Sequence, residues 1–190
     1  MLTDYVVIDL EMTGLNAKTD RILEAGAARV RGNVVTATFS EIINPKRELS
    51  EKVISLTGIT NEMAVQGKEM DAMLMAFLDF IGEDILVGQN VIFDYSFLKQ
   101  WAVNHKRTFE RNAVDTLKLA RKFLPQEQKK DLASLCSYFG IERVHAHRAL
   151  DDVMETQQIF EQLQKMYEAG APEALSLIHI SEPTRPISIS

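Results

Sequence analysis

The sequence predicts a single α/β domain built on a mixed β-sheet, in which a three-strand antiparallel meander and two further strands are flanked by helices. The first part of the chain contains three successive β-branched, apolar segments joined by short links. Later segments alternate between helical apolar spacing and short apolar runs. This element order is typical of a layered α/β domain with a mixed sheet.

The three strands of the meander are predicted at residues 5–10, 21–30 and 34–43, with Gly32 and Asn33 as a hairpin turn between the last two. Asn44 and Pro45 end the meander. Short apolar runs at residues 85–87 and 113–114 predict the two further strands.

Glycines mark the ends of several predicted helices. The predicted helices cover residues 50–56, 69–81, 95–103, 117–123, 132–139 and 151–167. The last one is long and amphipathic, with Ile159, Leu163 and Met166 on one face.

The composition fits one globular domain that stays outside the membrane. The chain has 190 residues, 46% hydrophobic and 25% charged. No apolar run approaches the roughly 18 residues needed to span a bilayer, and the acidic first residues do not resemble a signal peptide. Cys136 is the single cysteine, so no internal disulfide can form. We therefore expect a cytoplasmic protein with no membrane partner.

The end of the chain differs in character from the rest. Three of the five prolines follow residue 170, and no apolar period continues there. We expect a folded domain at residues 1–169 and a disordered or non-native tail at residues 170–190.

The charge distribution leaves a nucleic-acid partner open. The net charge is −6, which by itself argues against such a partner. Residues 99–148, however, carry 11 basic and 5 acidic side chains, against 8 and 15 in residues 1–98. This stretch could contact phosphates, or it could be a solvated basic face.

Asp9 and Glu11 at the end of the first strand form the first candidate site. Residues two apart on a strand point to the same face, so both carboxylates project together and repel each other. A hard divalent cation such as Mg²⁺ or Mn²⁺ would relieve that repulsion. The alternative is a solvent-facing pair of acids, with Ile8 and Leu10 on the core face.

Two further clusters contain polar side chains. Asp94, which follows the strand at residues 85–87, and the loop residue Asn90 form the second candidate site. Alternatively, Asp94 could cap a helix and the Asn90 amide could bond its own backbone. The stretch from His145 to Asp152 holds two histidines and two adjacent aspartates at a helix start. Those acids could simply face a helix dipole, and the spacing does not match a zinc motif.

Together, these motifs give a specific resemblance. The chain resembles the DEDDh family of 3′→5′ exonucleases in the order and wording of six segments. These are VVIDLEMTGL, DRILEAGAARV, INPKRELSEKVISLTGIT, GQNVIFDYSFL, VDTLKLAR and AHRALDDVMET. That family includes the proofreading subunits and domains of bacterial DNA polymerase III. The resemblance covers residues 5 to about 167 and implies a ribonuclease H-like fold and an exonuclease domain.

The resemblance also implies the site. Asp9, Glu11, Asp94 and Asp152 would hold two divalent cations, Mg²⁺ or Mn²⁺, about 4 Å apart, and His147 would be the general base. Helical spacing alone would pair His147 with Asp151, so the family motif decides for Asp152. The predicted substrate contacts are Met12, Thr13, Gly14, Leu15, Asn90 and Phe93. Tyr95 is a further candidate for stacking on a base.

The expected activity is hydrolysis from the 3′ end of single-stranded DNA, releasing 5′-mononucleotides in association with a DNA polymerase. Two departures leave the preferred sugar open: the family often has Thr in place of Met12 and His in place of Gln89. The IDLEMTGL wording is typical of oligoribonucleases, which degrade very short RNA. Two further functions stay open: a hydrolase of a different phosphodiester, and a catalytically silent nucleic-acid-binding module.

Overall fold

The computed structural model describes residues 1–143 and 148–170, and these residues form a five-stranded mixed sheet with helices on both faces. The strand order is β3-β2-β1-β4-β5. β1 to β3 pair antiparallel, whereas β4 runs parallel to β1 and to β5. The predicted α/β fold class with its meander is confirmed. The strands are β1 (Tyr5–Met12), β2 (Ile22–Arg31), β3 (Val34–Ile42), β4 (Leu86–Gly88) and β5 (Ala113–Asp115).

The predicted hairpin turn joins β2 to β3. Gly32 and Asn33 have φ values of 57° and 65°. Two successive positive φ angles match the twist of a tight hairpin, and glycine and asparagine adopt them at little cost.

Seven helices lie in the described residues: α1 (Glu51–Thr57), α2 (Asn61–Val65), α3 (Met70–Ile81), α4 (Ile92–Asn104), α5 (Thr116–Phe123), α6 (Leu132–Phe139) and α7 (Ala149–Gly170). The short helix α2 was not predicted. The start of α4 was also predicted wrongly, because it begins three residues earlier. Its N-cap is Val91, which makes no side-chain capping bond and so leaves no sequence signal.

Both faces of β1 are covered, which is why this strand reads as a nearly continuous apolar run. Val6, Ile8 and Leu10 pack in a core with side chains from α3 and α4. Tyr5 and Val7 point to the opposite face and pack against α7. The carboxyl end of β1 therefore lies between two helical layers.

Helix α7 lies along β1 and β2. Tyr5 meets Phe160 edge to face, with 5.0 Å between ring centroids. Gln164 bonds the backbone of Leu2 twice, accepting from its N–H and donating to its carbonyl oxygen. At the other end of the helix, the backbone of Ala149 approaches Gly26 so closely that a Cβ there would lie 2.5 Å from a backbone carbon. Within residues 1–143 and 148–170, no helix has the length and apolar character to cross a membrane.

Candidate active site

Asp9 and Glu11 lie at the carboxyl end of β1 on the face that packs against α7. The alternation along the strand places them on the same side as Tyr5 and Val7, as the two-residue period requires. Both side chains are half-buried, so the solvent-facing strand edge considered as an alternative does not describe them.

Helix α7 adds a third carboxylate to this pair. One oxygen atom each of Asp9, Glu11 and Asp152 lie within 4.8 Å of one another. Asp152 is only 6% exposed, whereas the adjacent Asp151 is half-exposed and is not part of this group. The inward side chain of the adjacent pair is therefore Asp152.

Asp94 approaches the site from α4 through the backbone of β1. It is the third residue of α4, 5% exposed, and its Oδ1 accepts a hydrogen bond from the backbone N–H of Leu10 at 2.8 Å. The helix-cap alternative for Asp94 is wrong, because Val91 occupies the N-cap. Asp94 lies outside the 4.8 Å group, but its charge raises the pKa of Asp9.

The acids of the cluster are hard to ionise together. Burial, followed by the neighbouring charges of Asp94 and Glu11, raises the pKa of Asp9 well above its usual value. Burial and the charge of Asp152 raise the pKa of Glu11 to about 8. Burial also raises the pKa of Asp94 to about 7, against the lowering effect of the Leu10 N–H. An oxygen-only set of crowded carboxylates is the donor set that Mg²⁺ or Mn²⁺ prefers, so these residues fit such a cation.

Glu24 is a buried acid that sequence reasoning missed. It lies opposite Glu11 on β2 and is 1% exposed. Its carboxylate accepts from Nε and Nη2 of Arg148 at 2.8–3.2 Å and from the Ala149 N–H at 3.1 Å. Glu11 and Glu24 face each other across the strands, and the Arg148 guanidinium bonds Glu24. The Glu24–Arg148 pair holds the start of α7 against β2.

The predicted general base, His147, and its neighbour His145 lie outside the described residues. The structure does describe Arg143 and Arg148, the residues on either side of this stretch. Arg143 bonds Asp152 and Glu155 on α7, and Arg148 bonds Glu24 on β2. Arg143 therefore bonds an acid of the cluster itself, and Arg148 bonds the acid opposite Glu11.

Four predicted substrate contacts lie at the end of β1 and in the loop that follows it: Met12 is the last residue of the strand, and Thr13, Gly14 and Leu15 begin the loop. Asp20 braces it, accepting from the Thr13 hydroxyl at 3.2 Å and from the Asn16 N–H at 2.9 Å. A Cβ on Gly14 would lie 2.5 Å from Asp20 Oδ2, so a larger residue there would displace this carboxylate. Leu15 is 64% exposed, whereas Met12 packs partly into the core.

The remaining predicted contacts lie around the start of α4. Asn90 has a positive φ of 57°, and its N–H donates to Asp115 Oδ1 at 2.9 Å. Phe93 is half-buried. Tyr95 packs in the core against Phe109, so the prediction that its ring is available for stacking on a base is wrong.

An open cleft of about 720 Å³ begins at Gln89 and Asn90. Arg121 and Lys130, both from the basic stretch at residues 99–148, line it together with polar amides. Gln89 Nε2 donates to the carbonyl oxygen of Lys130 and so connects the end of β4 to the far wall of the cleft.

Three carboxylates meet at the end of the central strand of a mixed α/β sheet, as the resemblance to a family of exonucleases implied. Residues 6–160 match the family model RNase_T, described as exonuclease. The chain belongs to this exonuclease family and is a nuclease that hydrolyses phosphodiester bonds.

The relatives and the fold agree with this assignment. The chain is 37% identical over 157 residues to "DNA polymerase III subunit epsilon" of Aquifex aeolicus, covering 82% of this chain and 78% of that protein. It is 38% identical over 157 residues to "DNA polymerase III PolC-type" of Bacillus subtilis, covering 80% of this chain but 11% of that much longer protein. The nuclease domain of 3′hExo, described as a DEDDh family member bound to rAMP, has the same fold, with a TM-score of 0.71 at 19% identity, over 86% of this chain and 92% of that one.

Proposed function

We propose that this protein is a divalent-metal-dependent 3′→5′ exonuclease that shortens single-stranded DNA and releases 5′-mononucleotides, acting as a proofreader for a DNA polymerase III. The observation that carries the proposal is the convergence of Asp9, Glu11 and Asp152, whose oxygen atoms lie within 4.8 Å of one another. The names of the polymerase III relatives support the choice of DNA and of a polymerase partner.

Four acids would hold the two cations, Mg²⁺ or Mn²⁺: Asp9, Glu11, Asp94 and Asp152. Asp9 is the central one, since burial and the charges of Asp94, Glu11 and Asp152 all act on it. When bound, the cations activate water for attack and stabilise the charge that develops on the phosphate and the leaving oxygen.

The other proposed roles belong to residues around the cluster. His147 takes the proton of the attacking water, the general-base role that histidine fills most often. The exposed Leu15 and the half-buried Phe93 contact the terminal nucleotide. The cleft lined by Arg121 and Lys130 contacts phosphates further along the strand.

Digestion of a 5′-labelled single strand tests the proposal. We expect Mg²⁺ or Mn²⁺ to produce a ladder that shortens from the far end, and we expect chelator to abolish it. Asp9→Asn should be inactive without unfolding, whereas Asp79→Asn, at an exposed acid on α3, should digest normally.

Each other outcome points to a specific alternative. Early release of the labelled nucleotide, or internal cuts, would contradict the 3′→5′ direction. Activity confined to very short RNA in a parallel RNA series would favour the oligoribonuclease type, with its IDLEMTGL motif. Binding without any cleavage would indicate a silent nucleic-acid-binding module, and cleavage of a different phosphodiester alone would indicate another hydrolase.

A further inference from the structure

Arg143 joins two buried acids on α7. Its Nε donates to Glu155 Oε2 at 2.8 Å, and its Nη2 donates to Asp152 Oδ1 at 3.0 Å. The two acids are three positions apart and therefore share a helix face. A planar guanidinium can bond both at once in a fixed geometry, which a lysine ammonium cannot reproduce.

Glu155 is not accounted for by the acidic cluster. It is 3% exposed and does not belong to the group formed by Asp9, Glu11 and Asp152. Its Oε2 lies 3.6 Å from the Cys136 thiol of α6. Its Oε1 has no hydrogen-bond partner among the residues that the structure describes. A buried carboxylate of this kind needs a cation beside it, and Arg143 is that cation.

The position of Arg143 in the chain connects this contact to the reaction. Arg143 directly precedes residues 144–147, which contain His147, and Arg148 directly follows them. Each arginine bonds a glutamate that is almost fully buried: Arg143 bonds Glu155, and Arg148 bonds Glu24. Arg143 and Arg148, the described residues on either side of that segment, are thus each anchored by an ion pair.

We propose that Arg143 is a positioning residue for this nuclease: it orients the Asp152 carboxylate toward Asp9 and Glu11. The inference rests on the proposed metal-dependent function. In the competing explanation, Arg143 only neutralises Glu155, and its bond to Asp152 has no functional consequence.

A double substitution separates the two explanations. Arg143→Met removes both bonds and leaves Glu155 buried without a cation, so we expect a lower melting temperature. Arg143→Met combined with Glu155→Met removes the acid as well, so the melting temperature should return toward that of the unaltered protein. If Arg143 orients Asp152, the double variant should still bind Mn²⁺ about tenfold or more weakly, the usual effect of losing a group that orients a metal ligand.

The measurements are calorimetric titration with Mn²⁺ alone, thermal melting in chelator, and kcat and KM on a single-stranded oligonucleotide. We expect Arg143→Met and the double variant to lose kcat by about 100-fold with little change in KM. The reason is that the catalytic groups are displaced and the strand-binding cleft is not. Arg143→Lys should retain part of the stability but not the Mn²⁺ affinity. The control is Arg111→Met. Arg111, like Arg143, bonds two acceptors through its guanidinium, but these are the Glu83 carboxylate and the Gly82 carbonyl oxygen, away from the cluster.

The outcomes separate the inference from the function on which it rests. A double variant with restored melting temperature, Mn²⁺ affinity and kcat would overturn the positioning role and leave the proposed function intact. Failure of the unaltered protein to bind Mn²⁺ would instead overturn the proposed metal-dependent function. Equal losses in Arg111→Met would show that the effect is not specific to Arg143, and would also overturn the inference.

Discussion

Substituting Gly26 should separate the geometry of the site from its chemistry. In Gly26→Ala the new Cβ would lie 2.5 Å from the backbone carbon of Ala149, 2.6 Å from its oxygen and 2.8 Å from the backbone nitrogen of Leu150. These are backbone atoms of the first turn of α7 and cannot rotate away. Since ordinary contacts between carbon atoms begin near 3.5 Å, the start of α7 must retreat from β2 by about 1 Å.

Asp152 follows in the same turn of α7 and would move with it. A displacement of about 1 Å can reduce turnover by about 100-fold. Overpacking of this kind typically costs about 1–3 kcal/mol of unfolding free energy, which for a domain of this size lowers the melting temperature by about 2–4 °C per kcal/mol. No carboxylate is altered, so the loss of activity would come from position alone.

The assay compares kcat on a labelled single strand with the melting temperature for three glycine variants. In Gly67→Ala the Cβ would lie 2.6 Å from the backbone carbon of Ile43, so this variant should lose similar stability and keep its kcat. In Gly170→Ala no atom of the described residues would lie within 4 Å of the new Cβ, so neither quantity should change. A Gly26→Ala protein with the kcat of the unaltered chain would refute the reasoning, as would an equal loss of kcat in Gly67→Ala.

Three further predictions concern the acids and the end of the chain. Asp152→Asn should lose at least about 100-fold in kcat, whereas Asp151→Asn should lose less than about threefold; the reverse order would show that the third motif is assigned in the wrong register. In chelator, the melting temperature should fall as pH rises from about 4 to about 8. The pKa values of Asp94 and Glu11 are raised in the fold to about 7 and about 8, so their contribution is complete below their unfolded values and is lost as they ionise. Mn²⁺ should reverse this fall at pH 8, and a melting temperature that rises with pH in chelator would contradict the burial of these acids. Ending the chain after Gly170 should leave melting and digestion unchanged, because residues 171–190 contain none of the family's motifs and differ in composition from the domain. An insoluble product would contradict this.

Local pattern was sufficient to predict most of the fold and the pair on β1. Alternation along a strand requires Asp9 and Glu11 to share a face, and the structure has them together. The hairpin turn at Gly32 and Asn33 could likewise be predicted from those two residues and the strands beside them. By contrast, the start of α4 at Ile92 has no capping side chain to mark it, so the prediction placed it too late.

Contacts between distant residues could not be predicted in this way. The Glu24–Arg148 pair joins residues 124 positions apart, and no periodicity links them. A signal was nevertheless present: Glu24 is the one charged residue between Ile22 and Ala28 in an otherwise small and apolar strand. Helical spacing from His147 would have chosen Asp151, and the family motif supplied most of the reason to choose Asp152. The role of His147 remains a prediction from that motif.

The proposed site draws its acids from positions 9, 11, 94 and 152, and the last of these is supplied by a helix that packs back onto the first strand. Contacts this distant along the chain form late, because the intervening segment must first be ordered. At synthesis rates of about 5–20 residues per second, the ribosome needs at least several seconds to add α7 after β1 has been made. During that interval the nascent chain lacks Asp152, so it has no complete catalytic centre with which to degrade the nucleic acids around it.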